Sequence, residues 1–266
     1  MSADRLGVAG YPVAHSLSPA IQNAALEALG LDDWRFQLLP VPPELFDETV
    51  CALPAAGFRG VSVTVPHKEA ALALAGEATA AAREIGAANT LVFEDGLIHA
   101  DNTDAPGFIA SLPSEPEPGM TALILGAGGS ARAVAWALSR AGVEVKVWNR
   151  TPERARKLAV DLGVEAAPEP AGADLLVNCT TAGMDGDPFA ILPIAPSALG
   201  DYRTVVDLVY ADPEGRLLAA ARKAGAQAVD GIEILVRQGA IALERWTGMP
   251  APLEVMREAA RQAPGR

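Results

Sequence analysis

The stretch Thr121-Ala-Leu-Ile-Leu-Gly-Ala-Gly-Gly-Ser-Ala131 decides the fold. A mostly apolar strand runs into Gly126-x-Gly128-x-x-Ala131, and a helical pattern follows. In a dinucleotide-binding βαβ unit the glycines make a tight turn and let the backbone approach a pyrophosphate, which rests on the helix N-terminus. Such a run has meaning only in context, and here a strand precedes it, a helix follows, and a second strand, Val143-Glu-Val-Lys-Val-Trp148, comes at the expected distance. That strand leads to Asn149-Arg-Thr151, with Arg154 one turn later. An NAD site places Asp or Glu here for the ribose 2′-hydroxyl. A carboxylate would repel a 2′-phosphate, whereas a guanidinium pairs with it through two hydrogen bonds. The reading is NADP(H). The plain alternatives are a strand–helix turn without a ligand and a solvated Arg150.

The glycine run begins well into the 266-residue chain, so another domain precedes it. Half of the residues are hydrophobic, enough for a substantial core. The net charge of −12, with no basic stripe, repels nucleic acid and anionic membrane, and anionic ligands must be held by local positive groups. No apolar run is long enough to span a bilayer, and no signal peptide is read at the N-terminus. Cys51 and Cys179 lie in apolar surroundings and read as reduced core residues, and no metal-ligand spacing is present. A cytoplasmic protein is expected, as a monomer or homodimer.

The first hundred residues alternate strand and helix. Strands are expected at Leu6–Gly10, Trp34–Leu39 and Gly60–Val65. Helices are expected at Pro19–Leu29 with Ser18 as N-cap, Pro43–Ala55, and His67–Ala75. Asn89–Phe93 and Leu97–Ala100 read as a hairpin around Asp95-Gly96. A short helix at Ala105–Ser111 leads to the Pro-rich linker Ser111–Gly119, and five parallel strands with two closing helices, Ile232–Thr247 and Leu253–Ala263, follow. The expected fold class is α/β: an N-terminal substrate domain with a mostly parallel sheet, a Rossmann-type domain, and a cleft between them. The domains are set at 1–103, completed by helices in 239–266, and 104–238.

Three polar motifs fall at strand ends of the first domain. Ser16 and Ser18 offer two hydroxyls near a helix N-terminus, an arrangement suited to a carboxylate, although Ser18 also reads as a helix cap. Ser62 and Thr64 share one face of a strand, and Lys68 follows the Pro66 turn in the first turn of a helix, where the dipole disfavours it. Either it lies in solvent or the site uses it. Asn89 and Asp104 complete the set: Asp104 is either a helix N-cap or the partner of Lys68. Hydride transfer to a carbonyl builds an alkoxide, and a lysine ammonium held by an aspartate supplies the proton.

Taken in order, His15-Ser-Leu-Ser-Pro19, Val63-Thr-Val-Pro-His-Lys68, Ala88-Asn-Thr90, Asn102-Thr-Asp104, Gly126-Ala-Gly-Gly129, Asn149-Arg-Thr151, Asn178-Cys-Thr-Thr-Ala-Gly-Met184, Asp207-Leu-Val-Tyr210 and Asp230-Gly231…Gln238 resemble the shikimate dehydrogenase family nearly end to end. The resemblance implies NADPH-dependent reduction of 3-dehydroshikimate to shikimate, a step toward chorismate. It implies Lys68 and Asp104 as the catalytic pair and Ser16 and Ser18 on the substrate carboxylate. Ser62, Thr64, Lys68, Asn89, Asp104, Tyr210 and Gln238 would serve the ring hydroxyls and carboxylate. Gly126, Ala127, Gly128, Gly129, Ser130, Asn149, Arg150, Thr151 and Arg154 would hold NADP, with Thr180, Leu208 and Gly231 also on the cofactor. Three residues depart from the family pattern: Ser62 stands for a usual Asn, Glu233 for a small glycine and Ile234 for a Met. They bear on specificity and rate. Two rivals stay open: a relative acting on quinate or another shikimate-like acid, with NAD as an alternative cofactor, and a non-catalytic NADP-binding module.

Overall fold

A computed structural model of the chain describes residues 4–184, 186–210 and 215–263. It separates into two compact units. One takes the chain up to Gly107 and again from Leu235; the other runs from Phe108 to Ile234. The expected boundaries are 103/104 and 238/239. The chain instead passes between units inside two helices, so a boundary placed at a helix start or a motif residue misses it by a turn. The end of the expected 239–266 completion, residues 264–266, lies outside the described residues.

The first unit contains β1 (Arg5–Gly10), α1 (Ser18–Ala28), β2 (Arg35–Pro40), α2 (Phe46–Ala52), β3 (Phe58–Val63), α3 (Lys68–Leu74), β4 (Glu77–Ala78), α4 (Ala80–Ile85), β5 (Thr90–Glu94), β6 (Leu97–Asp101) and the start of α5 (Asp104–Ser111). Its sheet has the order β2-β1-β3-β5-β6-β4. β1 runs parallel to β2 and β3, and β4 to β6, whereas β5 is antiparallel to both β3 and β6. The β5–β6 reversal comes from the tight turn at Asp95 and Gly96, which take φ of 51° and 77°. Two consecutive left-handed residues suit a two-residue hairpin.

This topology gathers the polar motifs. The C-terminal ends of β1, β3 and β6 and the N-terminal end of β5 all open on one edge of the sheet. The segments that leave there carry Ser16 and Ser18, Thr64 and Lys68, Asn89, and Asp104. Beneath them Phe46, Val50 and Leu53 of the α2 region pack on Val61, Val63, Leu91 and Phe93.

The second unit contains β7 (Thr121–Leu125), α6 (Gly129–Arg140), β8 (Glu144–Trp148), α7 (Pro152–Leu162), β9 (Glu165–Ala166), β10 (Leu175–Asn178), β11 (Thr204–Asp207), α8 (Arg216–Lys223) and β12 (Gln227–Asp230), and it ends in the first turn of α9 (Gly231–Thr247). α10 (Leu253–Gln262) then closes the first unit. The second sheet is wholly parallel, in the order β12-β11-β10-β7-β8-β9. Its central strands β7, β10 and β11 are buried on both faces because both are covered, whereas β8 alternates exposed and buried residues. Ile124 belongs to one core with Val134, Leu138 and Leu158, while Leu123 and Leu125 belong to the other with Leu217 and Leu218.

Several expectations are corrected. Ser18 is the first residue of α1 and caps nothing; Leu17 holds the cap position, and the Ser16 hydroxyl accepts the Ser18 N–H at 3.3 Å. The helix expected over Pro43–Ala55 is three pieces, with 3-10 turns at Pro43–Leu45 and Pro54–Ala56 around α2, because Pro54 cannot continue the ladder. Cys51 is exposed rather than core, since α2 buries Phe46 and Val50 and turns position 51 outward. Cys179 is only partly buried. The sequence reading does not include α4, a six-residue helix capped by the Thr79 hydroxyl and stopped by Gly86 at φ 74°. Among the described residues no helix is long and apolar enough to cross a membrane.

Candidate active site

In the first unit a hydrogen-bonded cluster forms around Asn89. Lys68 Nζ donates to Asp104 Oδ2 at 2.5 Å. Asn89 Nδ2 donates to Asp104 Oδ1 at 2.8 Å, to Thr103 Oγ1 at 3.0 Å and to Gln238 Oε1 at 3.1 Å. Asn89 Oδ1 accepts from the Thr103 backbone at 2.7 Å. Asn89 is 2% exposed and Lys68 8%, so the lysine is not a solvated charge. A buried ammonium needs a carboxylate, and this one has it.

The backbone explains why these residues meet. Val63 N donates to Asn89 O at 2.7 Å, Ala88 N to Lys68 O at 2.8 Å, and Asn89 N to Asp101 O at 3.1 Å. Three strand ends are thereby stitched together. Asp104 does not cap α5, because Asn102 Oδ1 accepts the Ala105 N–H at 3.2 Å and leaves the Asp104 carboxylate to Lys68 and Asn89. Gln238 arrives through Gly107: a Cβ there would stand 2.7 Å from Gln238 N, so only glycine lets α5 and α9 approach. His67 stacks on Phe46 with ring centroids 4.4 Å apart and shares a hydrogen bond with Val41 O at 2.8 Å, which anchors the start of α3.

Ser16 and Ser18 are joined hydroxyl to hydroxyl at 3.2 Å. One turn on, Gln22 is buried and donates to Gly239 O at 2.9 Å, tying α1 to the residue after Gln238. Ser62 is buried on β3, opposite Thr90. Thr64 lies just beyond the strand against Gly10, where a Cβ would meet its methyl at 2.3 Å.

In the second unit Gly126 takes φ 112° and its N–H donates to Trp148 O at 2.8 Å. A side chain at 126 would also press on Cys179 O, so this glycine serves the turn itself. Gly128 differs. Its φ is −94°, open to any residue, and a Cβ there would meet nothing within 4 Å. Among the described residues no packing demands a glycine at 128, and the open space over the start of α6 fits a cofactor pyrophosphate. Ala127, Gly129 and Ser130 share this turn. Arg150 and Arg154 are exposed and, among the described residues, have no salt bridge or side-chain hydrogen bond, while Asn149 Nδ2 donates to Thr151 O at 3.0 Å across the turn. Thr180 is spent internally, its hydroxyl donating to Asn178 Oδ1 at 2.7 Å. Gly231 lies so close to Leu208 that a Cβ would come within 2.6 Å of its carbonyl oxygen. Tyr210 is half-buried in the segment after β11.

In the sequence Asn178 and Asp207 stand only as parts of family motifs. The structure makes them a pair: Asn178 Nδ2 donates to Asp207 Oδ1 at 2.9 Å. Burial pushes the Asp207 carboxyl from its ordinary 3.8 up to about 6, against the Val209 N–H and the Asn178 amide, which favour the charged form. The neutral form is the better tolerated one. Its advantage is fully present below pH 3.8 and is lost as the pH rises through about 6. Asp207→Asn, which keeps an acceptor oxygen, is expected to leave stability near pH 4 unaltered and to raise it by about 3 kcal/mol at neutral pH. Urea unfolding at the two pH values measures this, and an equal change at both would overturn the assignment.

The order of the second sheet, with its glycine turn, is that of a Rossmann domain. The class is thus a two-unit α/β protein with a dinucleotide-binding domain and, in its other unit, a buried lysine paired with a partly buried aspartate. Comparison with known proteins narrows the class. Residues 8–91 match the shikimate dehydrogenase substrate binding domain, 115–175 match shikimate / quinate 5-dehydrogenase, and 231–261 match the shikimate 5'-dehydrogenase C-terminal domain. The chain is 44% identical over 270 residues to a shikimate dehydrogenase (NADP(+)) of Thermus thermophilus, covering 98% of this chain and 99% of that one. It is 43% identical to that of Methanopyrus kandleri, covering 96% and 93%. The crystal structure of shikimate 5-dehydrogenase from Thermus thermophilus in complex with NADP(H) and shikimate superposes with a TM-score of 0.87 at 42% identity, over 97% of this chain and 99% of that one. The chain belongs to the shikimate dehydrogenase family.

Proposed function

We propose that this chain catalyses the reversible, NADP(H)-dependent reduction of 3-dehydroshikimate to shikimate. One observation carries the mechanism: the buried Lys68 Nζ held 2.5 Å from Asp104 Oδ2. When bound, NADPH supplies the hydride. Lys68 then stabilises the negative charge that develops on the former carbonyl oxygen and gives it a proton; in the oxidation it takes that proton back. Asp104 orients the ammonium through one oxygen, and Asn89 fixes the other.

The remaining assignments follow the family resemblance. Ser16 and Ser18 bind the substrate carboxylate, their hydroxyls already adjacent. Ser62, Thr64, Asn89, Gln238 and Tyr210 bind ring hydroxyls or the carboxylate. A polyhydroxylated ring is discriminated well by buried polar groups, because an analogue lacking one hydroxyl leaves them unpaired. Gly126, Ala127, Gly128, Gly129 and Ser130 hold the pyrophosphate. Asn149, Arg150, Thr151 and Arg154 hold the adenosine 2′-phosphate, and Thr180, Leu208 and Gly231 border the rest of the cofactor. In a chain of net charge −12, two exposed guanidiniums beside this turn support the 2′-phosphate reading. A biosynthetic enzyme of this kind belongs in the cytoplasm.

The test is the formation of NADPH from shikimate, compared with quinate and with NAD+ in place of NADP+. Turnover is expected with shikimate and NADP+. Preference for quinate or NAD+ would overturn the substrate or cofactor assignment. Arg150→Ala is expected to weaken NADPH binding by about 10- to 100-fold, the worth of a charge-assisted contact, and to leave NADH binding unaltered. Equal effects on both would remove Arg150 from the 2′-phosphate.

A further inference from the structure

Two adjacent strands of the second sheet end on facing side chains. Asn178 closes β10, Asp207 closes β11, and the two are register partners. β10 also borders β7, with Asn178 opposite Leu125, the residue before the Gly126 turn. The connection reverses direction between β7 and β10, which is where open parallel sheets bind ligands. From this place the pair governs two loops. Asn178 holds its own loop, accepting from the Thr180 N–H at 3.1 Å and donating to Ala182 O at 3.2 Å. Asp207 Oδ1 accepts both the Asn178 amide and the Val209 N–H at 3.0 Å. Leu208, between them, donates its N–H to Asn178 O at 3.0 Å, and its carbonyl closes on Gly231.

A carboxyl in this place is costly, since Asp207 is only 5% exposed and its partners among the described residues are neutral N–H groups. An apolar strand end would be cheaper, as at Leu125, which closes β7 on the other side of β10. What an apolar residue lacks is an acceptor that takes two N–H groups from two loops at once.

We propose that Asp207, acting with Asn178, is a positioning residue that fixes the Leu208–Val209 backbone for the nicotinamide half of the cofactor. The inference rests on the function proposed above for the second unit. It separates the two halves of the dinucleotide: the adenosine half is held by the turn at 126–130 and by Arg150, and the nicotinamide half by backbone that Asp207 keeps in place.

The experiment uses the full chain and three proteins: wild type, Asp207→Ala and Asp207→Asn. It measures kcat for shikimate oxidation and the affinity for NADP+ and for adenosine 2′,5′-bisphosphate, which lacks the nicotinamide. Asp207→Ala is expected to lower kcat and the affinity ratio of NADP+ to the bisphosphate, with kcat down about tenfold or more, the scale on which small misplacements act. Bisphosphate affinity stays within about twofold, a floor set by the intact adenosine site rather than by any contact of Asp207. Asp207→Asn, which keeps the acceptor oxygen, restores most of kcat. Unaltered kcat in Asp207→Ala, a parallel loss of bisphosphate affinity, or an asparagine as poor as alanine would each overturn the proposal. Should Asp207→Ala fail to fold, Asn178→Ala asks the same question with the Val209 bond intact. A wild type that binds NADP+ but turns over no shikimate would overturn the function; the affinity ratio still decides the role of Asp207.

Discussion

Lys68→Ala is expected to lower kcat by about a thousandfold while leaving NADP+ affinity near that of the unaltered chain. General acid–base catalysis by a positioned group contributes about 10²- to 10⁴-fold, and in the proposed mechanism Lys68 also stabilises the developing oxyanion. Its bond to Asp104 lies within the first unit, so the glycine turn and Arg150 are untouched. The substitution leaves the Asp104 carboxylate without its ammonium and still bonded to Asn89, so some stability is lost as well, about 1–3 kcal/mol for a charge stripped of its partner. Circular dichroism and thermal unfolding separate that loss from the loss of turnover. Groups that act as a unit are non-additive, so Asp104→Ala combined with Lys68→Ala is expected to be little worse than either alone. Turnover that survives Lys68→Ala would remove this lysine from the chemistry.

The second large effect is expected at Gly107. An alanine there would bring its Cβ within 2.7, 2.8 and 2.9 Å of Gln238 N, Cβ and Cα. Two of these atoms are backbone, so no rotamer change relieves the contact, and α5 and α9 must part. Overpacking of this kind costs about 3 kcal/mol. Gln238 would then move away from Asn89, to which it is joined at 3.1 Å. A displacement of about 1 Å at a positioning residue reaches about 100-fold in kcat/KM. Both losses are expected in Gly107→Ala, read by thermal unfolding and by shikimate kinetics. A normal melting temperature would show that the helices can separate without cost.

How much of this is legible in the sequence depends on the range of the signal. The glycine turn, the strands around it and the Asn149–Arg154 segment are local patterns, and all stand at the expected strand ends. Lys68 and Asp104 pair on chemistry and resemblance, yet the residue that joins them to Gln238, Asn89, has no local mark of a hub. Ser18 reads as a cap in sequence because serine before Pro19 has that habit; in the fold the Ser16 hydroxyl takes the N–H instead. The exposure of Cys51 turns on helical phase, which the breaks around α2 reset. Asp207 hides for another reason: a carboxylate at a strand end reads as solvent-facing, and only the neighbouring strand makes it buried. Gly107 does carry a signal. A glycine inside an eight-residue helix weakens that helix, so close approach by another backbone is the reading to test.

The passage of the chain between the two units has a consequence for the order in which they are completed during synthesis. The second unit is one continuous stretch, Phe108–Ile234, and all six strands of its sheet are present once β12 has left the ribosome. The first unit is not continuous. Its sheet lies in the opening part of the chain, but Trp246 donates its indole N–H to Leu91 O at 3.0 Å, Gln22 reaches Gly239 O, and α1 packs against α10. The half translated first is therefore the half finished last: until the final helices emerge, the apolar faces they cover stay open to solvent and to chaperones.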